Sequence, residues 1–199
     1  MTHHPPLRAQ WLVSALAPAR SHDSVVGDLL EEYRESQVPE RGVGAADRWF
    51  VRQALGFLWT ASAPAAWAMA GNLSARTLLD MSIPSGDLSS RAWITTVIAM
   101  GIFAWHGFRL GRSTGRIAGA VPLALAATVL GTMFAYALTF AMFGVAAALD
   151  ADPRAWAVLR EGLDIPAHVV AVIGVVLATA GAAAGRIATG SSAPRASIR

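Results

Sequence analysis

Four long apolar runs dominate the pattern of hydrophobic and polar positions along this chain of 199 residues. The longest, Ile117–Leu149, has no charged residue, and as a helix it would extend about 50 Å, beyond the roughly 30 Å hydrocarbon core of a bilayer. Uncharged runs at Gln53–Ala75 and Ile165–Gly185 are also long enough to span a bilayer, and Ala92–Phe108 is at the short limit. The pattern predicts an all-α polytopic membrane protein with four transmembrane helices, at about residues 54–71, 92–108, 117–149 and 166–185.

The segments between these runs carry most of the charge. We expect Asn72–Arg91 to be a loop with one piece along the membrane interface, and residues 150–164 to be a solvated acidic loop whose carboxylate spacing fits no calcium site. Glycine recurs at every fourth residue around the arginines that follow the second run. The glycines are Gly107, Gly111, Gly115 and Gly119, and we interpret the recurrence as a hairpin turn rather than a packing face, with Gly119 as the exception.

Residues 1–53 have a different pattern, which predicts a small cytoplasmic prefix domain of three short helices. Pro18 ends the first helix, Pro39 and Gly42 break the second, and the third begins near Ala45 and continues into the first span. We expect a small core made of Trp11, Leu29, Tyr33 and Trp49. Such a prefix buries too little surface to be stable alone, so it is expected to lean on the membrane or on another protein.

Two motifs in the prefix resemble a known family. Residues 27–34 read GDLLEEYR and residues 48–53 read RWFVRQ, a pair that is similar to the type 2 permease prefix domain found ahead of bacterial ABC-type permeases of the MacB/FtsX kind. The resemblance implies a cytoplasmic prefix associated with a permease or ATPase, here in a short membrane protein without the permease unit. The candidate partner-binding residues are Asp28, Glu31, Glu32, Tyr33, Glu35, Arg48, Trp49 and Arg52.

The distribution of charge gives an orientation. Six arginines lie in the prefix, three between the second and third spans and three after the last span, against two in each of the other two connections. By the positive-inside rule, both termini are then cytoplasmic, in the bacterial cytoplasmic (inner) membrane. Because the arginines flank apolar spans, the net charge of +3 is not taken to predict nucleic-acid binding. The chain has no cysteine, so disulfides and thiolate metal sites are excluded.

No catalytic, cofactor-binding or metal-binding pattern is present in the sequence, so an enzyme is not predicted. Our leading hypothesis is a membrane-anchored interaction or regulatory module. Its prefix domain, residues 1–53, would contact a permease or ATPase subunit through an acidic face formed by Asp28, Glu31, Glu32 and Glu35. The alternative is a transporter subunit that forms a pathway only on oligomerisation within the transmembrane domain, residues 54–187. It draws on the small-residue face of the last span, Gly174, Ala178, Gly181 and Gly185. A structural membrane protein without a specific ligand is a third possibility, and residues 188–199 are expected to be a disordered cytoplasmic tail.

Overall fold

The computed structural model describes residues 3–82, 88–141 and 167–190, and these are helical almost throughout, with no strand among them. These described residues form seven α-helices: α1 Leu7–Leu16, α2 His22–Glu32, α3 Val38–Arg41, α4 Val43–Ser82, α5 Leu88–Thr114, α6 Ala120–Thr139 and α7 Ala167–Gly190. The all-α prediction is confirmed for the described part of the chain. The predicted acidic loop 150–164, the end of the third predicted span and most of the predicted tail lie outside the described residues.

The four long helices pack as two close pairs, α4 with α6 and α5 with α7, and α6 joins the pairs by packing on α7. In the α4–α6 pair, a Cβ at Gly131 would lie 2.8 Å from the Met69 Cβ, and Trp67 stacks on Phe134 with ring centroids 4.6 Å apart. Within the described residues, two segments are long and apolar enough to cross a membrane, Ala120–Leu138 and Val169–Thr189.

Helix α4 is longer than the sequence pattern predicted. The predicted loop began at Asn72, but the helix continues to Ser82 through 40 residues, with Pro64 inside it. No glycine or proline stands between Asn72 and Ser82 to end the helix, and the Asn72 amide donates a 2.9 Å hydrogen bond to the Thr95 carbonyl of α5. Since α5 begins at Leu88, the predicted Asn72–Arg91 loop was wrong at both ends.

The prediction of a hairpin turn over the glycine-rich connection was also wrong in part. Gly107 and Gly111 are inside α5, which continues to Thr114, and the turn begins at Gly115, whose φ is +66°. Consequently α6 begins at Ala120 rather than Ile117. Arginine is a good helix former, so the basic segment adds turns to the helix instead of interrupting it.

The prefix has a core that differs from the predicted one. Tyr33, Phe50 and Val13 are fully buried at its centre, whereas Trp11 is 51% exposed, so its place in the predicted core was wrong. Leu29 and Trp49 pack against this core, as expected. The third helix of the prefix is the N-terminal part of α4. The predicted domain boundary after residue 53 therefore falls inside a continuous helix.

Pro39 does not break the second prefix helix, contrary to the prediction. A π-helical turn, Tyr33–Gln37, joins α2 to α3, and the Val38 N–H bonds to the Tyr33 carbonyl across it. Pro39 then falls in the first turn of α3, where a backbone N–H is not needed. Gly42, with φ +75°, ends the helix.

Candidate functional site

The acidic face predicted for partner binding lies on the outside of the prefix. Asp28, Glu31, Glu32 and Glu35 are all exposed on α2 and the π-helical turn. Glu32 accepts a 3.3 Å hydrogen bond from the Gln37 side chain, and within the described residues none of the four carboxylates forms an ion pair. Their negative charge is therefore directed outwards, and no arginine in the described part of the chain pairs with it.

Tyr33 points away from that face and into the prefix core. Its side chain is 0% exposed, its ring meets Phe50 edge-on at 5.9 Å, and its hydroxyl donates a 2.6 Å hydrogen bond to an Asp47 carboxylate oxygen. Burial, with a smaller contribution from Asp47, raises the pKa of Tyr33 to about 12, so the phenol stays neutral and remains a donor. Tyr33 holds α2 against α4 and presents no surface to a partner.

The second motif divides between surface and core. Arg48 and Arg52 are exposed one helical turn apart on α4, whereas Trp49 is half-buried and packs against the prefix core, its ring 6.2 Å from that of Phe50. The residues of the RWFVRQ motif therefore divide between two environments. Trp49 and Phe50 face inwards and pack the prefix against α4, and Arg48 and Arg52 remain in solvent.

A hydrogen-bonded junction that the sequence did not reveal fixes the prefix to the bundle. The Arg116 guanidinium, in the α5–α6 turn, donates to the Ser14 carbonyl of α1. The Ser14 hydroxyl is 3.1 Å from His22 Nε2, and His22 Nδ1 is 2.8 Å from an Asp23 oxygen. Ser14 and Arg116 are 102 positions apart, so no local sequence signal marks their contact.

The Ser14, His22 and Asp23 contacts have the atom order of a hydrolase triad, but not its environment. In such triads the carboxylate is buried, so that it holds the imidazole in one orientation. The Asp23 side chain is instead completely exposed. Ser14 also faces the Arg116 guanidinium, 3.4 Å from its hydroxyl, which ties this hydroxyl into the α1–bundle contact. We interpret the three residues as a structural link between α1 and α2.

The predicted small-residue face of the last span is in contact with α5. A Cβ added at Gly181 would overlap the Ala104 carbonyl, and one added at Gly185 would overlap the Phe108 carbonyl. A Cβ at Gly174 would lie 2.9 Å from the Phe103 ring. From the other side, a Cβ at Gly107 would overlap Ala178. The two backbones approach as closely as small residues on both helices allow.

Comparisons of the chain with known protein families, with curated proteins and with solved structures give no match.

Proposed function

We propose that this protein is a four-span protein of the bacterial cytoplasmic membrane, with both termini in the cytoplasm, that acts as a membrane-anchored interaction or regulatory module. Its prefix would bind a basic surface of a cytoplasmic or membrane partner, such as a permease or ATPase subunit. No enzymatic activity forms part of this proposal. One observation supports the membrane placement, and a second supports binding of a partner by the prefix.

The first observation is the distribution of residue size in the bundle. Large apolar side chains on all four long helices point outwards, while the packed interior consists mostly of alanine, serine and threonine. The larger side chains in that interior are Met69, Phe103, Leu110 and Leu123. On the outside are, for example, Trp59, Trp67, Trp93, Ile98, Trp105, Val129, Met133 and Val172, and inside are Ser62, Ala65, Ala66, Ala124, Ala127, Thr128 and Ala178. Exposing such an apolar surface to water is unfavourable, whereas lipid solvates it. The small interior residues are also typical of membrane helices, which associate through close packing rather than through the hydrophobic effect.

Two interior hydroxyl groups agree with that placement, whereas the buried Ser74 hydroxyl has no hydrogen-bond partner among the described residues. The Ser62 hydroxyl donates to the Leu58 carbonyl at 2.7 Å, and the Thr128 hydroxyl donates to the Ala124 carbonyl at 2.9 Å. Each bond is made within the side chain's own helix, so neither hydroxyl needs water. This satisfies the requirement that polar groups in a bilayer find partners inside the protein.

The second observation is the acidic face itself. Its four exposed carboxylates belong to a prefix that α4 connects directly to the bundle and that Arg116 fixes to the α5–α6 turn. A partner bound there would be held at a fixed distance from the bundle. Because anionic lipids repel carboxylates, a basic protein surface is the complementary binding partner.

The alternative of a transporter subunit that assembles through the last span has less support. The small-residue face of α7 on which it drew is covered by α5 of the same chain, so it is not available to a second copy. The cavity between the four long helices, near Asn72 and Thr132, has a volume of about 80 Å³, well below the roughly 300 Å³ at which ligand pockets begin.

The proposed orientation predicts which positions an external reagent reaches. The chain has no cysteine, so a thiol introduced at Glu31, Leu79 or Arg186 is the only one present. In intact bacterial cells, a membrane-impermeant maleimide should label Leu79→Cys but neither Glu31→Cys nor Arg186→Cys, and all three should react after lysis. Labelling of Glu31→Cys in intact cells would contradict the cytoplasmic placement of the prefix.

Charge reversal on the acidic face tests the interaction. Glu31→Arg with Glu35→Arg should abolish recovery of the partner in an affinity purification from native membranes, and stability should change by less than about 0.5 kcal/mol, because both side chains are exposed. Glu40→Arg is the matched control, since Glu40 is an exposed carboxylate outside this face. If wild type and the double variant retain the same proteins, the acidic face is not the binding surface.

A further inference from the structure

A basic groove lies where the prefix meets the bundle, and the proposed partner binding does not use it. It is formed by the 3₁₀ turn Ala19–Ser21, the C-terminal part of α5 and the end of α7, and its volume is about 730 Å³. Arg20 contributes from the prefix, and Arg109 and Arg112 contribute from α5. Trp105 and Phe108 line its wall, with their rings nearly parallel and their centroids 6.0 Å apart.

Among the described residues, the three arginines have no acidic counterpart in this groove. All three are exposed. Over residues 3–82, 88–141 and 167–190, no carboxylate lines the groove and none of the three arginines makes an ion pair or a hydrogen bond. Like charges converging on one concavity create a positive potential that attracts a multivalent anion. A phosphate group is well suited, because a guanidinium donates to two phosphate oxygens at once.

An apolar stripe continues from the groove along the same face of α5. Ile94, Ile98, Gly101 and Trp105 follow one another at intervals of four, three and four residues, and the stripe continues to Arg109 and Arg112 by steps of four and three. All six are exposed, and a Cβ at Gly101 would meet no atom of the described residues within 4 Å, so the face is open towards them there. From Ile94 to Trp105 the stripe is about 16 Å long, close to half of the roughly 30 Å hydrocarbon core of a bilayer.

We propose that this surface is a binding site for an anionic phospholipid, with the phosphate headgroup at Arg20, Arg109 and Arg112 and an acyl chain along the stripe. A soluble phosphate would use the arginines but not the stripe, so the continuity of the two favours the lipid. Because Arg20 belongs to the prefix and the other two arginines to the bundle, one bound lipid joins both parts. The inference rests on the membrane placement proposed above but not on the partner.

The test is lipid retention by the full chain in native mass spectrometry from detergent. Wild-type protein should retain one phosphatidylglycerol in preference to phosphatidylcholine. In Arg109→Gln with Arg112→Gln, its dissociation constant should rise about tenfold or more, since each arginine near a lipid surface contributes to binding the anion. Arg186→Gln is the matched control: Arg186 is exposed on the end of α7 and does not line the groove, so retention should be unchanged.

Two results would overturn the proposal. One is equal retention by wild type and the double variant. The other is full displacement of the lipid by millimolar glycerol phosphate, which would assign the groove to a soluble phosphate. If the double variant does not purify as a folded protein, Arg20→Gln decides: it lies in an exposed turn and should weaken retention severalfold, whereas unchanged retention overturns the site. Loss of the partner on the acidic face would leave all these measurements unchanged.

Discussion

Replacing Gly107 by leucine is expected to force α5 away from α7 and to destabilise the bundle by about 3 kcal/mol. The reason is that a Cβ at this position would overlap the backbone of Ala178, including its carbonyl. A flexible side chain can move aside, but a helical backbone cannot move without displacing the whole helix. The adjacent contacts of Gly111 with Ala182 and of Gly181 with Ala104 would open with it.

The measurement is the midpoint temperature at which the detergent-solubilised protein loses its monodisperse size-exclusion peak. Gly101→Leu is the matched control, because it makes the same change on the same helix at an exposed position. An added Cβ there would meet no atom within 4 Å in the part of the chain that the structure describes. The control should be unchanged or slightly stabilised, since glycine is about 1 kcal/mol less favourable than alanine in a helix. Equal midpoints for the two variants would show that the close approach of α5 and α7 contributes little to stability.

Tyr33→Ala should unfold the prefix and leave the bundle intact. Removing a buried aromatic side chain costs about 3–5 kcal/mol, and a core as small as that of the prefix has little stability to spare. The substitution removes the edge-on contact with Phe50 and leaves the Asp47 carboxylate without its 2.6 Å hydrogen bond. Limited trypsin digestion should then cut readily after Arg20, Arg34 and Arg41, while the bundle remains a protected fragment.

Trp11→Ala is the control for that experiment, because Trp11 is 51% exposed and its loss removes an aromatic ring without opening the core. Tyr33→Phe separates the two contributions of the side chain: it keeps the ring and should cost about 1–3 kcal/mol for the carboxylate left unsatisfied. If Trp11→Ala made the prefix more sensitive to trypsin than Tyr33→Ala did, the core described for the prefix would be wrong.

The acidic face shows why some candidate residues could be predicted from sequence. Helical spacing was enough to group Asp28, Glu31, Glu32 and Glu35, and the structure places all of them in solvent. The same pattern could not separate Tyr33 from its neighbours, since a tyrosine between acidic residues is compatible with binding or with burial. The distinction depends on Asp47 and Phe50, which come from another helix.

The π-helical turn illustrates a different limit. Pro39 was expected to end the second helix because proline clashes with the preceding turn of an α-helix. A π-turn over Tyr33–Gln37 places Pro39 in a new first turn, and that local change keeps Tyr33 directed at the core. Sequence patterns based on a constant 3.6-residue period do not anticipate such an extra residue.

By itself, the sequence determined that this chain is helical, that long apolar helices dominate it and that its charge is concentrated outside the apolar runs, because these properties depend on local composition and periodicity. Only the tertiary structure decided which glycines turn the chain and which pack helices: Gly115 and Gly107 look alike in sequence, but one has a left-handed backbone and the other lies against Ala178. Only the tertiary structure brought Arg116 to Ser14, and Arg20 to the arginines of α5. Those contacts depend on how distant helices cross, which no local pattern encodes.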